Sequence, residues 1–201
     1  MRTFIKSFSY FFHPLIMPFL GVMIYFGITP KFVPPPFLYA KVFALVILTI
    51  VVPILFYYLL KNLKLASSIF LSDVRERRIP LLSHIALTLV ILKLIINGYE
   101  FPELYFFFLG ILASAVACFI AAFFKFKVSL HMVGISGVLF FVIGLSLHYN
   151  SNLLSLIALL VFATGGAASS RLQARAHTNL ELIIGTLIGG LAQYLIFPYW
   201  L

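Results

Sequence analysis

Three short polar stretches carry nearly all the groups in this sequence that could do chemistry. The last reads Ser169-Ser170-Arg171-Leu172-Gln173-Ala174-Arg175-Ala176-His177-Thr178-Asn179-Leu180-Glu181. His177 and Glu181 are four residues apart, one helical turn, so the carboxylate can hold the imidazole and fix its tautomer. An imidazole held in this way can attack phosphorus. Arg171 brings a planar fork that makes paired bonds to phosphate oxygens. The middle stretch, Lys125-Phe126-Lys127-Val128-Ser129-Leu130-His131, adds a hydroxyl and a second histidine. That histidine can protonate a departing alkoxide and later activate water. The first stretch, Ser72-Asp73-Val74-Arg75-Glu76-Arg77-Arg78-Ile79-Pro80, adds three arginines. Phosphoryl transfer spreads negative charge over three equatorial oxygens, which fixed cationic donors stabilise. The residues for the chemistry are thus His177, His131 and Glu181; those for phosphate are Arg75, Arg77, Arg78, Ser129 and Arg171.

These groups sit in an unusually apolar chain. Of 201 residues, 63% are hydrophobic and 9% charged, and the mean hydropathy is +1.15. A soluble domain is about a quarter charged, because its surface must be hydrated. Disorder is excluded by the 23 Phe and 10 Tyr, which supply ample surface to bury. One cysteine, Cys118, rules out a disulfide scaffold. The net charge of +9 would suggest nucleic acid in a soluble protein. Here the basic residues fall in gaps between apolar runs, the ordinary membrane pattern, and no nucleic-acid motif accompanies them. The chain belongs in a bilayer.

A spanning helix needs about 20 mostly apolar residues. The apolar runs predict spans over 7–29, 42–60, 79–97 with Lys93 able to snorkel near its end, 104–124, two between 128 and 170 divided at His148–Asn152, and one from Glu181 to Leu201. In the first, His13-Pro14 and Pro18 can break or tilt the helix. The expected fold is all-α, a polytopic integral membrane bundle of six or seven helices forming one domain over 1–201. Gly165-Gly166-Ala167-Ala168 and Gly185, Gly189 and Gly190 are expected at close helix contacts. With this count the three polar stretches share one membrane face. The opposite gaps, near Lys31–Pro36, Gly98–Pro102 and Asn150–Asn152, carry no comparable chemistry in sequence.

The spacing Ser170-Arg171, five residues, His177, three residues, Glu181 resembles the third signature of the type 2 phosphatidic acid phosphatase superfamily, Ser-Arg-x5-His-x3-Asp, with Glu for the final Asp. Ser129-Leu130-His131 stands where that family has Pro-Ser-Gly-His, matching Ser and His only. The family's first signature, Lys-x6-Arg-Pro, is the most altered: Leu71 and Phe70 occupy the lysine position counted from Arg78 and Arg77, and Pro80 follows the arginines. The order is kept, over positions 73–181. The resemblance implies a divergent, cofactor-free membrane phosphatase acting through a phosphohistidine on His177. Its substrates would be lipid phosphates from the bilayer: phosphatidic acid, phosphatidylglycerophosphate, or polyprenyl phosphates and diphosphates. It also implies a bacterial inner (plasma) membrane.

Each feature has a plainer reading when taken singly. The arginines could anchor a helix end, His131 could be packed or interfacial, and His177 with Glu181 could be a structural pair. His13, His84 and His148 carry only such structural readings. A metal on His131, His177 and Glu181 lacks the usual His-x3-His or Cys pairing. A CDP-alcohol or prenyl transferase needs an Asp-rich site, and Asp73 is the only Asp. A non-catalytic binder or transporter of anionic lipids, using the same arginines, stays open, as does the oligomeric state. Eleven Lys and Arg lie on the polar face with the N-terminus, against Lys31, Lys41 and Lys93 on the other. Positive-inside bias therefore predicts a cytoplasmic site.

Overall fold

Without water in the hydrocarbon, every backbone N–H and C=O must be satisfied within its own segment, and this chain does so with helices alone. The computed structural model describes residues 2–65 and 73–201, with side chains from Ser7 onward. Phe70, Leu71 and Ser72 lie outside the described residues, as do the side chains of Arg2 and Lys6. The helices are α1 (Arg2–Phe11), α2 (Met17–Ile28), α3 (Pro35–Asn62), α4 (Arg75–Ile95), α5 (Pro102–Phe123), α6 (Leu130–His148), α7 (Leu154–Gln173) and α8 (Asn179–Tyr194). No strand occurs among the described residues. Six helices, α3 to α8 with the turn that follows it, are long and apolar enough to cross a membrane. The protein is an all-α polytopic bundle.

Proline punctuates these helices where its missing N–H costs least. Pro35 and Pro102 open α3 and α5, and Pro18 stands in the first turn of α2. Pro53 lies inside α3, and a π-helical turn at Ile47–Val51 immediately precedes it. The wider turn accommodates a ring that an α-helical ladder would reject. The expected first span departs most from expectation. Pro14 has no N–H and disfavours helical backbone at His13, so α1 stops at Phe11. The second part, α2, is twelve residues long, about 18 Å against a hydrocarbon thickness of roughly 30 Å. The chain nevertheless passes along the whole of α6. The His13 ring lies 5.4 Å from that of His131 at one end, and the Thr29 hydroxyl is 3.2 Å from the Tyr149 hydroxyl at the other. The crossing is present but divided.

Four helices end in a residue with left-handed backbone: Lys64, Lys125, Asn150 and Arg175, with φ between 48° and 59°. After each, the next N–H returns to a carbonyl five residues back, as Phe126 to Ala121 (3.0 Å) and Ala176 to Arg171 (3.1 Å). This closure satisfies orphan carbonyls and folds the chain sharply over the helix end. It keeps the polar stretches tight against the bundle.

The core centres on α6, where Ile135, Val138, Phe141, Val142 and Leu145 are all buried. Apolar lipid gives helices no hydrophobic reason to associate, so small residues that permit close packing matter most. A Cβ on Gly185 would lie 2.8 Å from the Ser129 carbonyl oxygen. One on Gly189 would lie 2.1 Å from that of Val133. Gly166 similarly receives the Phe8 ring of α1, whereas Gly165 faces open space. Gly189→Ala is therefore expected to destabilise the protein by about 1–3 kcal/mol, because the opposing atom is backbone and cannot move aside. Gly165→Ala should instead be neutral or stabilise by about 0.4–1 kcal/mol. Thermal unfolding of both variants in detergent checks the contrast.

Candidate active site

His177 is placed by two helix ends. After α7, the left-handed Arg175 turns the chain back, and Thr178 caps α8. The Thr178 side chain accepts from the Glu181 N–H at 3.3 Å, and Glu181 Oε2 accepts from the Thr178 N–H at 3.0 Å. This reciprocal capping box holds the carboxylate. The same Oε2 lies 2.9 Å from His177 Nδ1. The sequence spacing suggested one helix face; the structure puts His177 just before the cap, and the pair meets through the capping box. A carboxylate offers only acceptors, so Nδ1 carries the proton and Nε2 keeps its lone pair.

The His177 side chain is only 4% exposed. Burial lowers its pKa to about 4, aided by the positive charges of Arg77 and Lys127 and opposed by Glu181. At neutral pH the imidazole is therefore uncharged. Lys127 is itself held below the usual lysine value, first by burial and then by Arg77 and Arg171, with Glu181 acting against them. The one carboxylate, Glu181, acts on both Arg77 and Lys127, and Arg171 adds its charge to theirs.

The first arginine cluster divides three ways. Arg77 is buried and donates through Nη1 to the Val128 carbonyl at 3.0 Å, pinning α4 to the stretch before α6. Arg78 turns to the end of α5, donating to the Ala122 carbonyl at 3.2 Å with its guanidinium 4.4 Å from the Phe123 ring. Arg75 is exposed, and its backbone N–H is taken by Asp73. Arg77 is the one of these three whose charge acts on His177 and Lys127. Ser129 is fully buried; its N–H donates to the Glu181 carbonyl at 3.3 Å. The Ser129 hydroxyl and Arg171 Nε are buried without a partner among the described residues.

The second histidine meets a residue that sequence reading missed. His131 Nε2 lies 3.2 Å from the Ser9 carbonyl oxygen, so this nitrogen is the donor. Arg171 Nη1 donates to the Ser9 hydroxyl at 3.4 Å, and that hydroxyl lies 2.6 Å from the one on Ser170. α1 therefore covers the His131 and Arg171 side of the site, with Phe8 seated on Gly166. Nothing near Ser9 in sequence marks it for this role. Lys127 did leave a signal. It belongs to the same short polar stretch as Ser129 and His131, two residues before the buried serine.

The opposite end is not chemically plain, contrary to the sequence expectation. Glu103, 7% exposed, accepts from the Tyr25 hydroxyl at 3.0 Å and from that of Tyr149 at 2.9 Å, and lies 3.2 Å from His148 Nε2. No group of three metal-ligating side chains occurs among the described residues. Comparison with protein-family models gives no match, and neither does comparison with curated proteins or with solved structures.

Two substitutions test the charge balance around His177. Lys127→Ala removes a positive neighbour and should raise the His177 pKa. Glu181→Gln removes the group that favours the imidazolium and should lower it further. Imidazole NMR titration of wild-type protein should show His177 neutral down to a midpoint near pH 4. Because the unfolded value is near 6.5, this histidine's contribution to stability is present above that pH. It is lost as pH falls toward 4.

Proposed function

We propose that the protein is a membrane phosphatase of lipid phosphomonoesters or diphosphates, using His177 as a nucleophile without a metal or other cofactor. The observation that carries this reading is the His177–Glu181 pair, which leaves an unprotonated Nε2 next to a surplus of cations. Burying positive charge in a lipid-embedded bundle is costly, and such groups mark a site for a negative partner. The unpartnered Ser129 hydroxyl and Arg171 Nε are donors of the kind phosphate oxygens take. Phosphatidic acid, phosphatidylglycerophosphate and polyprenyl phosphates share that chemistry. The family resemblance in the three polar stretches agrees with it.

In this mechanism Nε2 of His177 forms a bond to phosphorus as the bond from phosphorus to the lipid oxygen breaks. His131, protonated as the phosphate dianion enters, gives that proton to the leaving alkoxide and becomes neutral; it then takes one from the water that displaces His177 and frees inorganic phosphate. Glu181 supports the imidazolium character of the attacking ring. Arg77, Lys127 and Arg171 hold the equatorial oxygens. Ser9, now on both His131 and Arg171, yields these groups as substrate enters from the bilayer.

His177→Ala should abolish phosphate release while the protein still folds. Glu181→Gln should lower the rate less, and Arg171→Ala should cost about 2–4 kcal/mol of transition-state stabilisation. Release measured in detergent should persist in EDTA. Undiminished turnover in His177→Ala would falsify the mechanism. Wild-type protein that binds lipid phosphates without releasing phosphate would establish the binder instead.

The excess of Lys and Arg at this end supports a site on the cytoplasmic side of a bacterial inner membrane. Lys125 is exposed on the turn between α5 and α6, and the native Cys118 is buried. A Lys125→Cys variant should resist impermeant thiol reagents in intact cells and react after permeabilisation. Labelling from outside would reverse the orientation.

A further inference from the structure

We propose that the far end of the bundle binds a zwitterion, its primary ammonium on Glu103 and its phosphate on Lys31, as in the phosphoethanolamine headgroup of an aminophospholipid. A cavity of about 340 Å³ opens there, walled by Tyr25, Thr29, Lys31, Tyr99, Glu103 and Tyr149. That volume falls in the range of small-ligand sites. Glu100 also lines the cavity, its carboxylate 3.5 Å from the Lys41 ammonium; the other two charges are ordered by depth. Glu103 is buried at the inner end. Lys31 is exposed at the rim, where its ammonium donates to the Glu100 carbonyl. A ligand that fits this order carries its cation at the tip and its anion behind, toward the bilayer surface.

Hydrogen-bond accounting narrows the cation. Tyr25 and Tyr149 donate to Glu103, and His148 Nε2 lies 3.2 Å from the same Oε1 that Tyr149 engages. A carboxylate has about four acceptor positions, so one stays open. The Tyr149 hydroxyl gives its proton to Glu103, so the Thr29 hydroxyl, 3.2 Å away, acts as donor to it. The Tyr25 oxygen keeps acceptor capacity, as does that of Thr29. A primary ammonium has three donors for these acceptors; a quaternary ammonium has none. The aromatic walls favour either cation, so selectivity rests on the acceptors. The site lies where α2 and α6 end and α5 begins, at headgroup depth for helices that cross the bilayer. It shares no residue with the proposed phosphatase site and stands independently of that reading.

The test is native mass spectrometry of the full-length protein in detergent, titrated with phosphatidylethanolamine, phosphatidylcholine or phosphatidylglycerol of matched chains. Phosphatidylethanolamine should be retained about tenfold more strongly than either other lipid. Glu103→Gln should erase most of that preference, whereas Lys31→Ala should weaken retention of all three lipids several-fold and leave their order unchanged. Lys31 is a rim residue, so its variant tests the site even if Glu103→Gln fails to fold. Displacement by soluble phosphoethanolamine would show that the headgroup suffices, and persistence against it would make the lipid the ligand; both agree with the proposal. Equal retention of phosphatidylethanolamine and phosphatidylcholine overturns it, as does phosphatidylethanolamine retention that Lys31→Ala leaves undiminished.

Discussion

The polar end of the bundle depends on how closely α8 approaches α6. Gly185 and Gly189 let the two backbones meet at distances that no side chain would tolerate. In lipid, where apolar surface gains nothing by leaving its surroundings, such contact is the main source of helix association. The approach has a direct chemical result. It lets the Ser129 N–H reach the Glu181 carbonyl, so the segment before α6 and the first turn of α8 become one unit. Arg77 then fastens α4 to that unit through the Val128 carbonyl. Three stretches separated by some fifty residues each are joined by one backbone and one side-chain hydrogen bond.

Electrostatics gives that unit its character. Arg77, Lys127 and Arg171 share a half-buried region with the carboxylate of Glu181, which is already engaged by His177 and Thr178. Screening by water is weak there, and mutual repulsion among the cations is correspondingly large. The uncharged state of His177 follows first from its burial, and the same field adds to it, since a further positive charge would add to the repulsion. In the proposed mechanism, a neutral imidazole beside cations suits attack on phosphate. α1 adds a cover, with Ser9 bonded to the groups that a phosphate would need.

The bundle is therefore polarised, with a cationic site at one end and a carboxylate ringed by hydroxyls at the other. The second assembly is built differently. Tyr25, Glu103 and Tyr149 come from α2, α5 and the end of α6, and their hydrogen bonds fasten the divided N-terminal crossing to the core. Packing of Phe107 on Phe141 and of Trp200 beneath Gly144 fills the space between the ends.

Some of this was decided by the sequence alone. Continuous apolar runs of about twenty residues dictate an all-α membrane bundle, because only helices and closed barrels satisfy their hydrogen bonds in hydrocarbon, and barrel strands are about half that length and alternate. The His177–Glu181 pairing was legible because both residues belong to one local motif; Thr178 followed three residues on by Glu181 even carries the capping box. The break near Pro14 was legible for the same local reason. Tertiary structure decided which of Arg75, Arg77 and Arg78 turns toward His177, and that Lys127 stands with it. It also brought Ser9 onto His131, and Tyr25 and Tyr149 onto Glu103. These contacts join residues far apart in the chain, and they depend on how each helix is rotated about its axis. A helix that is apolar all round leaves that rotation unmarked in its sequence, so only packing against its neighbours fixes it.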